Sequence, residues 1–261
     1  MNRQANTGTL GKAMDIVEII AEANSPPRFS DILRRTGQPR GTLHRQMANL
    51  LNEEMIALNP DQTYSLGIRL LKLASQAWST NGFRTAATRG LNWLHQQTDE
   101  TTHLAVLRGA EVIYLDKVES GQSIRMHSQI GKASPVYCTG IGKAALSRVD
   151  DTTLESILSE LSFSRFTPHT ITNTRALREE LDGIRARGIA FDNEEHEIGI
   201  CCVAAPVVPI SRSFYAGVSV TGPVYRVDEA KWLAWQSLVP EAARLIVEDV
   251  EILLGPGGRI C

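Results

Sequence analysis

The sequence predicts an α+β protein in two parts, a winged helix-turn-helix followed by an antiparallel sheet flanked by helices. Three observations carry that expectation. From Gly37 to Leu66 an amphipathic helix with a polar leading end runs straight into a short hairpin. Beyond Asn81 the expected elements follow the order βββ-ααα-βββ-α, which is neither the alternation of a parallel sheet nor a helix bundle. Basic residues also concentrate in the first part. Arg28, Arg34, Arg35, Arg40 and Arg45 stand against one acid, Asp31, in a chain whose formal net charge is −2. A local basic patch in a near-neutral protein suits a nucleic-acid module joined to something else.

The 261 residues leave room for two modest domains. A hydrophobic share of 43% with 21% charged residues excludes a disordered or polycationic chain. Leu10, Met14, Val17 and Ile20 or Ala21 keep helical spacing as far as Asn24, and Ser25-Pro26-Pro27 stops the helix. Ser30 is placed to cap a short second helix through Ile32 and Leu33, which Gly37 ends. Pro39 suits the first turn of a third helix. There Leu43, Met47, Leu50 and Leu51 form one apolar face, while Arg40, Thr42, His44, Arg45 and Gln46 offer groups for phosphates and base edges. Arg40, Thr42, His44 and Arg45 are expected in the major groove of double-stranded DNA, and Arg34, Arg35 and Gln46 on phosphates.

Met55 to Leu58 turns through Asn59-Pro60-Asp61 into Thr63 to Leu66, the wing. The expected domains are therefore 1–66, binding DNA, a linker helix over 67–81, and a second domain over 82–261. The linker carries an apolar seam (Leu66, Leu70, Leu73, Ala74, Ala77), and the tail 255–261 is expected to be disordered. In the second domain a helix over about 83–98 precedes strands at 101–107 and 112–118, joined by Arg108-Gly109-Ala110. A third strand is expected at Ile124 to Gln129, and Gly131 to Pro135 reads as a loop. Three helices follow, then strands at 189–192, 202–208 and 215–220, and a final helix over 228–254.

The four cysteines (Cys138, Cys201, Cys202, Cys261) include no C-x-x-C pair, so neither a disulfide framework nor a zinc site is indicated. Reduced thiols, no signal-peptide core and no apolar run of ~18 residues predict a cytoplasmic protein with no membrane span. No cofactor or metal is called for.

Three stretches could carry chemistry. In YCTGIGK, Tyr137 to Lys143, Gly140 and Gly142 permit close backbone approach, and the helix behind them offers unpaired N–H groups to a carboxylate or phosphate. A tight strand-to-helix turn is the plainer reading. FDNEEHEIGICC, Phe191 to Cys202, crowds acids and a histidine. Asp192, Glu194 and His196 are the ones that could converge on a metal, although a polar loop before a buried strand is the commoner case. Cys202 opens an apolar strand, which favours an inert buried thiol over a nucleophile paired with His196 or Asp192. Ser219 and Thr221, two apart on a strand, share one face. Together these groups suit holding a small polar anion, a sensor rather than a catalytic set. An acid-processing enzyme and a module docking a protein partner are the alternatives.

The stretch RFSDILRRTGQPRGTLHRQMANLL with the wing ending in YSLG resembles the IclR family of bacterial transcriptional regulators. So do YCTGIGKAAL, GIAFDNEEHEIGICCVAAPV and AGVSVTGP in the second part. The resemblance implies a GAF-like effector domain behind the winged helix, assembly as a homodimer or a dimer of dimers, palindromic operators and small carboxylate effectors. It implies effector contacts at Gly140, Ile141, Asp192, Cys202, Ser219 and Thr221. Gly41 stands where many members have serine, and Thr221 replaces a frequent serine. SIRMHSQIG with YCTGIGK is most similar to regulators of sugar-acid breakdown of the 2-keto-3-deoxygluconate type, and a repressor of a catabolic operon is the expected role.

Overall fold

The computed structural model describes residues 8–122 and 128–255, which form two compact units, one ending at Thr80 and the other starting at Asn81. In the first unit, α1 (Gly8–Ala21), α2 (Phe29–Thr36) and α3 (Arg40–Asn52) precede a hairpin of β1 (Ile56–Leu58) and β2 (Tyr64–Leu66), then α4 (Ile68–Ser79). Ile16, Val17 and Ile20 of α1 meet Ile32, Leu43, Met47, Leu50 and Ile56 in one small core. Burying an aliphatic side chain of this size stabilises by roughly 2 kcal/mol.

Two boundaries differ from the sequence reading. The first helix stops at Ala21, short of Asn24. Ser30 does not cap α2, because the helix starts at Phe29. Arg28 takes the capping position, and its backbone N–H donates to the Asp31 carboxylate at 3.1 Å. The wing turn is held by Asp61, whose Oδ1 accepts from the Thr63 N–H at 3.2 Å and the Thr63 hydroxyl at 2.6 Å. None of the residues of α4 is buried, although Leu70 is half-buried against the first core.

The second unit is built on a six-stranded sheet, antiparallel throughout, in the order β5-β4-β3-β8-β7-β6. The strands are β3 (Thr101–Arg108), β4 (Glu111–Val118), β5 (Ala133–Pro135), β6 (Ala190–Asn193), β7 (Ile200–Val207) and β8 (Ala216–Pro223). α5 (Gly82–Thr98) and α9 (Glu229–Leu254) cover one face, and α6 (Gly140–Leu146), α7 (Asp151–Glu160) and α8 (Thr174–Arg187) cover the other. Strand alternation divides the core between the faces. Leu104, Val106 and Val203 meet Phe83, Leu91 and Trp235, whereas Ala105, Leu107 and Ala204 meet Ile141, Leu146 and Leu177. With both faces covered, β3 and β7 read as nearly continuous apolar runs.

The third strand is not where the sequence placed it. Of Ile124 to Gln129, residues 124–127 lie outside the described residues, and Ser128 and Gln129 belong to no strand. The strand that pairs with β4 on the side away from β3 is β5, inside the segment read as a loop, with Glu111 opposite Pro135. Its three residues are too few to show a period of two. The tail beyond Gly255 also lies outside the described residues.

Candidate functional site

Two surfaces gather the residues singled out above. On α3, Arg40, Gly41, His44 and Arg45 are exposed and Thr42 is half-buried. The Arg40 guanidinium lies 5.7 Å over the Phe29 ring, which orients it beside His44, whose ring is 6.2 Å from the same phenyl. A Cβ at Gly41 would meet nothing within 4 Å, so the missing side chain leaves open surface. Arg34 pairs with Asp31 at 2.7 Å, and Arg35 with Glu22 at 3.5 Å. Gln46 is a correction: its side chain points into the three-helix core, only 3% exposed, and cannot reach a phosphate. Leu43, Met47 and Leu50 bury the face of α3 to which Gln46 belongs, and a polar side chain is carried in with them.

The second surface is a cavity of about 100 Å³ beneath the N-terminus of α6, and Gly140, Ile141, Asp192, Cys202, Ser219 and Thr221 all line it. Cross-strand register brings the strand residues together. Asp192 on β6 sits opposite Cys202 on β7, which sits opposite Thr221 on β8, so the three form one row across the sheet. Ser219, on the same face two residues earlier, lies opposite His103 on β3. Above this row α6 approaches so closely that a Cβ on Gly140 would come 3.0 Å from the Cys202 sulfur, and one on Gly142 2.7 Å from the Val136 Cα. Thr139 precedes the helix but makes no capping bond, its hydroxyl donating instead to the Pro135 carbonyl at 2.8 Å. The first N–H groups of α6 therefore lack intrahelical partners.

The buried groups of the chamber are largely uncharged, and the exposed Lys132 and Glu197 line it too. Burial pushes the Asp192 carboxyl up to about 7, and its Oδ1 accepts the Glu195 N–H at 2.8 Å. Burial, with Lys117 nearby, draws His103 down to about 3, so its ring is neutral, 2.7 Å from the Ser128 hydroxyl through Nε2. Burial raises the Cys202 thiol to about 12, which leaves no thiolate to act as a nucleophile at neutral pH. Sequence reasoning missed His103, Tyr114, Ser128, Lys132, Ser134, Thr139, Glu197 and Ile200 as lining residues. The one signal available was His103, a lone histidine inside the apolar run of β3.

Of the three side chains considered for a metal, Asp192 and His196 line the cavity. Glu194 does not join them. It turns at φ 59°, and its carboxylate accepts the Gly199 N–H at 2.7 Å. No set of three or more His, Cys, Asp or Glu suited to a metal exists among the described residues. A larger hollow of about 640 Å³ lies between α9 and the β7–β8 turn, but it is an open groove and holds none of the residues singled out in the sequence.

A helix-turn-helix with a wing, followed by an α+β domain enclosing a small polar chamber, defines a DNA-binding transcriptional regulator. The pattern of the IclR helix-turn-helix domain matches residues 9–60, and that of the bacterial transcriptional regulator IclR C-terminal domain matches residues 75–248. The chain is 31% identical to the HTH-type transcriptional regulator KdgR of Escherichia coli, over 84% of this chain and 83% of that protein. The crystal structure of the Thermotoga maritima IclR superposes with a TM-score of 0.69 at 33% identity, over 94% of this chain and 99% of that one. An IclR homologue from Microbacterium hydrocarbonoxydans, solved in complex with 4-hydroxybenzoate, shares the fold with a TM-score of 0.75 at 24% identity, over 94% of this chain and 100% of that one. The chain belongs to the IclR family of bacterial transcriptional regulators. No helix among the described residues is long and apolar enough to cross a membrane.

Proposed function

We propose that the chamber under α6 holds a small carboxylate effector, of the sugar-acid class, whose binding changes the affinity of α3 and the wing for a palindromic operator. The observation that carries this reading is the meeting of the Gly140 and Ile141 amides, the Ser219 and Thr221 hydroxyls and the Asp192 carboxyl around one cavity. Amides and hydroxyls bind a carboxylate without a buried countercharge. The homologue solved with 4-hydroxybenzoate supports an acid as ligand. The similarity of SIRMHSQIG and YCTGIGK to sugar-acid regulators, and a lining rich in Ser, Thr and His, favour a polyhydroxy acid over an aromatic one. Arg40, Thr42, His44 and Arg45 read bases, and Arg34 and Arg35 position the phosphate backbone. The protein acts in the cytoplasm as the repressor of a catabolic operon.

Residues 68–79 link the two activities and also join copies of the chain into a homodimer or a dimer of dimers. Ile68, Leu71 and Leu73 are each more than half exposed on α4, which supports a second copy packing there. Sedimentation of Leu71→Asp reads this directly, since an unchanged oligomer places the interface elsewhere.

A thermal-shift screen of the full chain against sugar acids, keto acids and aromatic acids tests the effector. A ligand at a hundred times its Kd adds about 2.7 kcal/mol of stability. Operator release by the same compound completes the case for a repressor. A hit that tightens the DNA complex makes it an activator or co-repressor system, and silence from all acids removes the carboxylate reading.

A further inference from the structure

His103 on β3 lines the chamber at only 3% exposure, and its ring stands between two hydroxyls. Nε2 lies 2.7 Å from Ser128 Oγ, and Nδ1 lies 3.4 Å from Thr221 Oγ1. Both of those residues line the chamber as well. The Ser128 side is fastened a second time, since Lys117, opposite His103 on β4, donates from Nζ to the Ser128 carbonyl at 2.7 Å. That ammonium is shared with Glu119 at 2.7 Å. Tyr114, Lys132, Asp192, His196, Glu197 and Cys202 also line the chamber, and among the described residues none of them forms an ion pair with His103. Buried with no carboxylate paired to it, the ring is neutral. A neutral imidazole has one N–H and one acceptor nitrogen, so it donates to one of its two hydroxyls and accepts from the other.

Two observations give the N–H to Nδ1. Hydrogen bonds donated by a hydroxyl run shorter than those donated by an N–H, about 2.7–2.8 Å against about 2.9–3.0 Å for acceptor oxygens. The short contact, 2.7 Å, is the one to Ser128. The Lys117 ammonium also lies on the Ser128 side, where positive charge favours a lone pair on Nε2 over an N–H.

We propose that His103 is the positioning residue that makes Thr221 a hydrogen-bond donor to an acid ligand. Ser128 donates its hydroxyl proton to Nε2, Nδ1–H donates to Thr221 Oγ1, and the Thr221 hydroxyl proton is left for the chamber. The Cys202 thiol, opposite Thr221, is neutral and a weak acceptor, so it yields that proton to a carboxylate. The other tautomer would take the Thr221 proton and offer the ligand only lone pairs, which repel a carboxylate. His103 thus selects an anion over a hydroxyl at this position. Only the binding step rests on the effector reading; the tautomer is a property of the ligand-free protein.

Ring 15N shifts of the full chain, labelled at histidine and read at pH 7 without ligand, test the tautomer, because ring nitrogens with and without hydrogen resonate far apart. The His103 signals are those lost in His103→Phe or, where that variant fails to fold, those that move in Ser128→Ala. A protonated Nδ1 and a bare Nε2 are expected. A protonated Nε2, or a ring protonated on both nitrogens, overturns the proposal. Calorimetry with 2-keto-3-deoxygluconate reads the consequence. Thr221→Val and His103→Phe should each weaken binding about tenfold, the worth of one hydrogen bond to a charged group. The double variant should bind no more weakly than Thr221→Val alone. Losses that add in the double variant show that His103 does not act through Thr221 and overturn the proposal. A protonated Nδ1 with no binding of that acid to the wild type would count against the effector class and leave the hydrogen-bond assignment standing.

Discussion

The backbone of Gly140 lies against the side chain of Cys202, so close that a methyl group on the glycine would sit 3.0 Å from the sulfur. This contact fixes the height of α6 above the sheet and so the depth of the chamber beneath it. Gly140→Ala should push α6 outward, lowering stability by ~1–3 kcal/mol and abolishing binding of the proposed effector. Gly142→Ala meets the Val136 backbone at 2.7 Å and should cost at least as much. Urea unfolding checks both, and two variants as stable as wild type would show that α6 is not held at this height.

On α3 the exposed residues proposed to touch DNA stand apart from the buried Gln46. Arg45→Ala should weaken operator binding by ~1–3 kcal/mol, or flatten the salt slope by about one if its contact is a phosphate. Gln46→Leu, replacing a buried side chain whose Oε1 lacks a partner, should leave affinity and salt slope unchanged and not lower stability. Fluorescence anisotropy at several salt concentrations decides between them, and a flattened slope in Gln46→Leu would contradict its burial.

Asp192 makes stability depend on pH with a known sign. Its folded value of about 7 lies above the unfolded value, so the folded state holds the extra proton. That contribution is fully present below pH ~4 and is lost as pH rises toward 7. Asp192→Asn cannot ionise, so it should flatten this part of the profile and match or exceed wild-type stability at pH 8. Denaturation at pH 5 and pH 8 checks it, and a wild-type profile that rises across this interval through Asp192 would reverse the sign.

The three thiols among the described residues should be silent. Cys138, Cys201 and Cys202 are all buried, and burial raises each to about 12. Iodoacetamide at pH 7 should label none of them in the folded protein and all of them in urea, read by peptide mass spectrometry. Fast labelling of Cys202 alone would revive a nucleophilic role.

The sequence by itself determined the elements and the family. Leu43, Met47 and Leu50 at helical spacing, the hairpin behind them and the run from Phe191 to Cys202 carry signals within single stretches of chain. With the YCTGIGK turn, the Ser219 and Thr221 pair and the family resemblance, they marked six of the residues that line the chamber and most of the α3 face. Residues whose role depends on a neighbour distant in sequence were settled only by the tertiary structure. Ala133–Pro135 is a strand because β4 offers it an edge, and Gln46 is buried because three helices close over it. His103 enters the chamber because Ser219 lies opposite it on β8, and Glu195 is buried with a partner because Lys143, far back in the chain, arrives at 2.5 Å. The physical reason is common to all four. Periodicity reports which face of a segment is apolar, whereas register, packing and the sharing of one ammonium between two carboxyls exist only once separate segments meet.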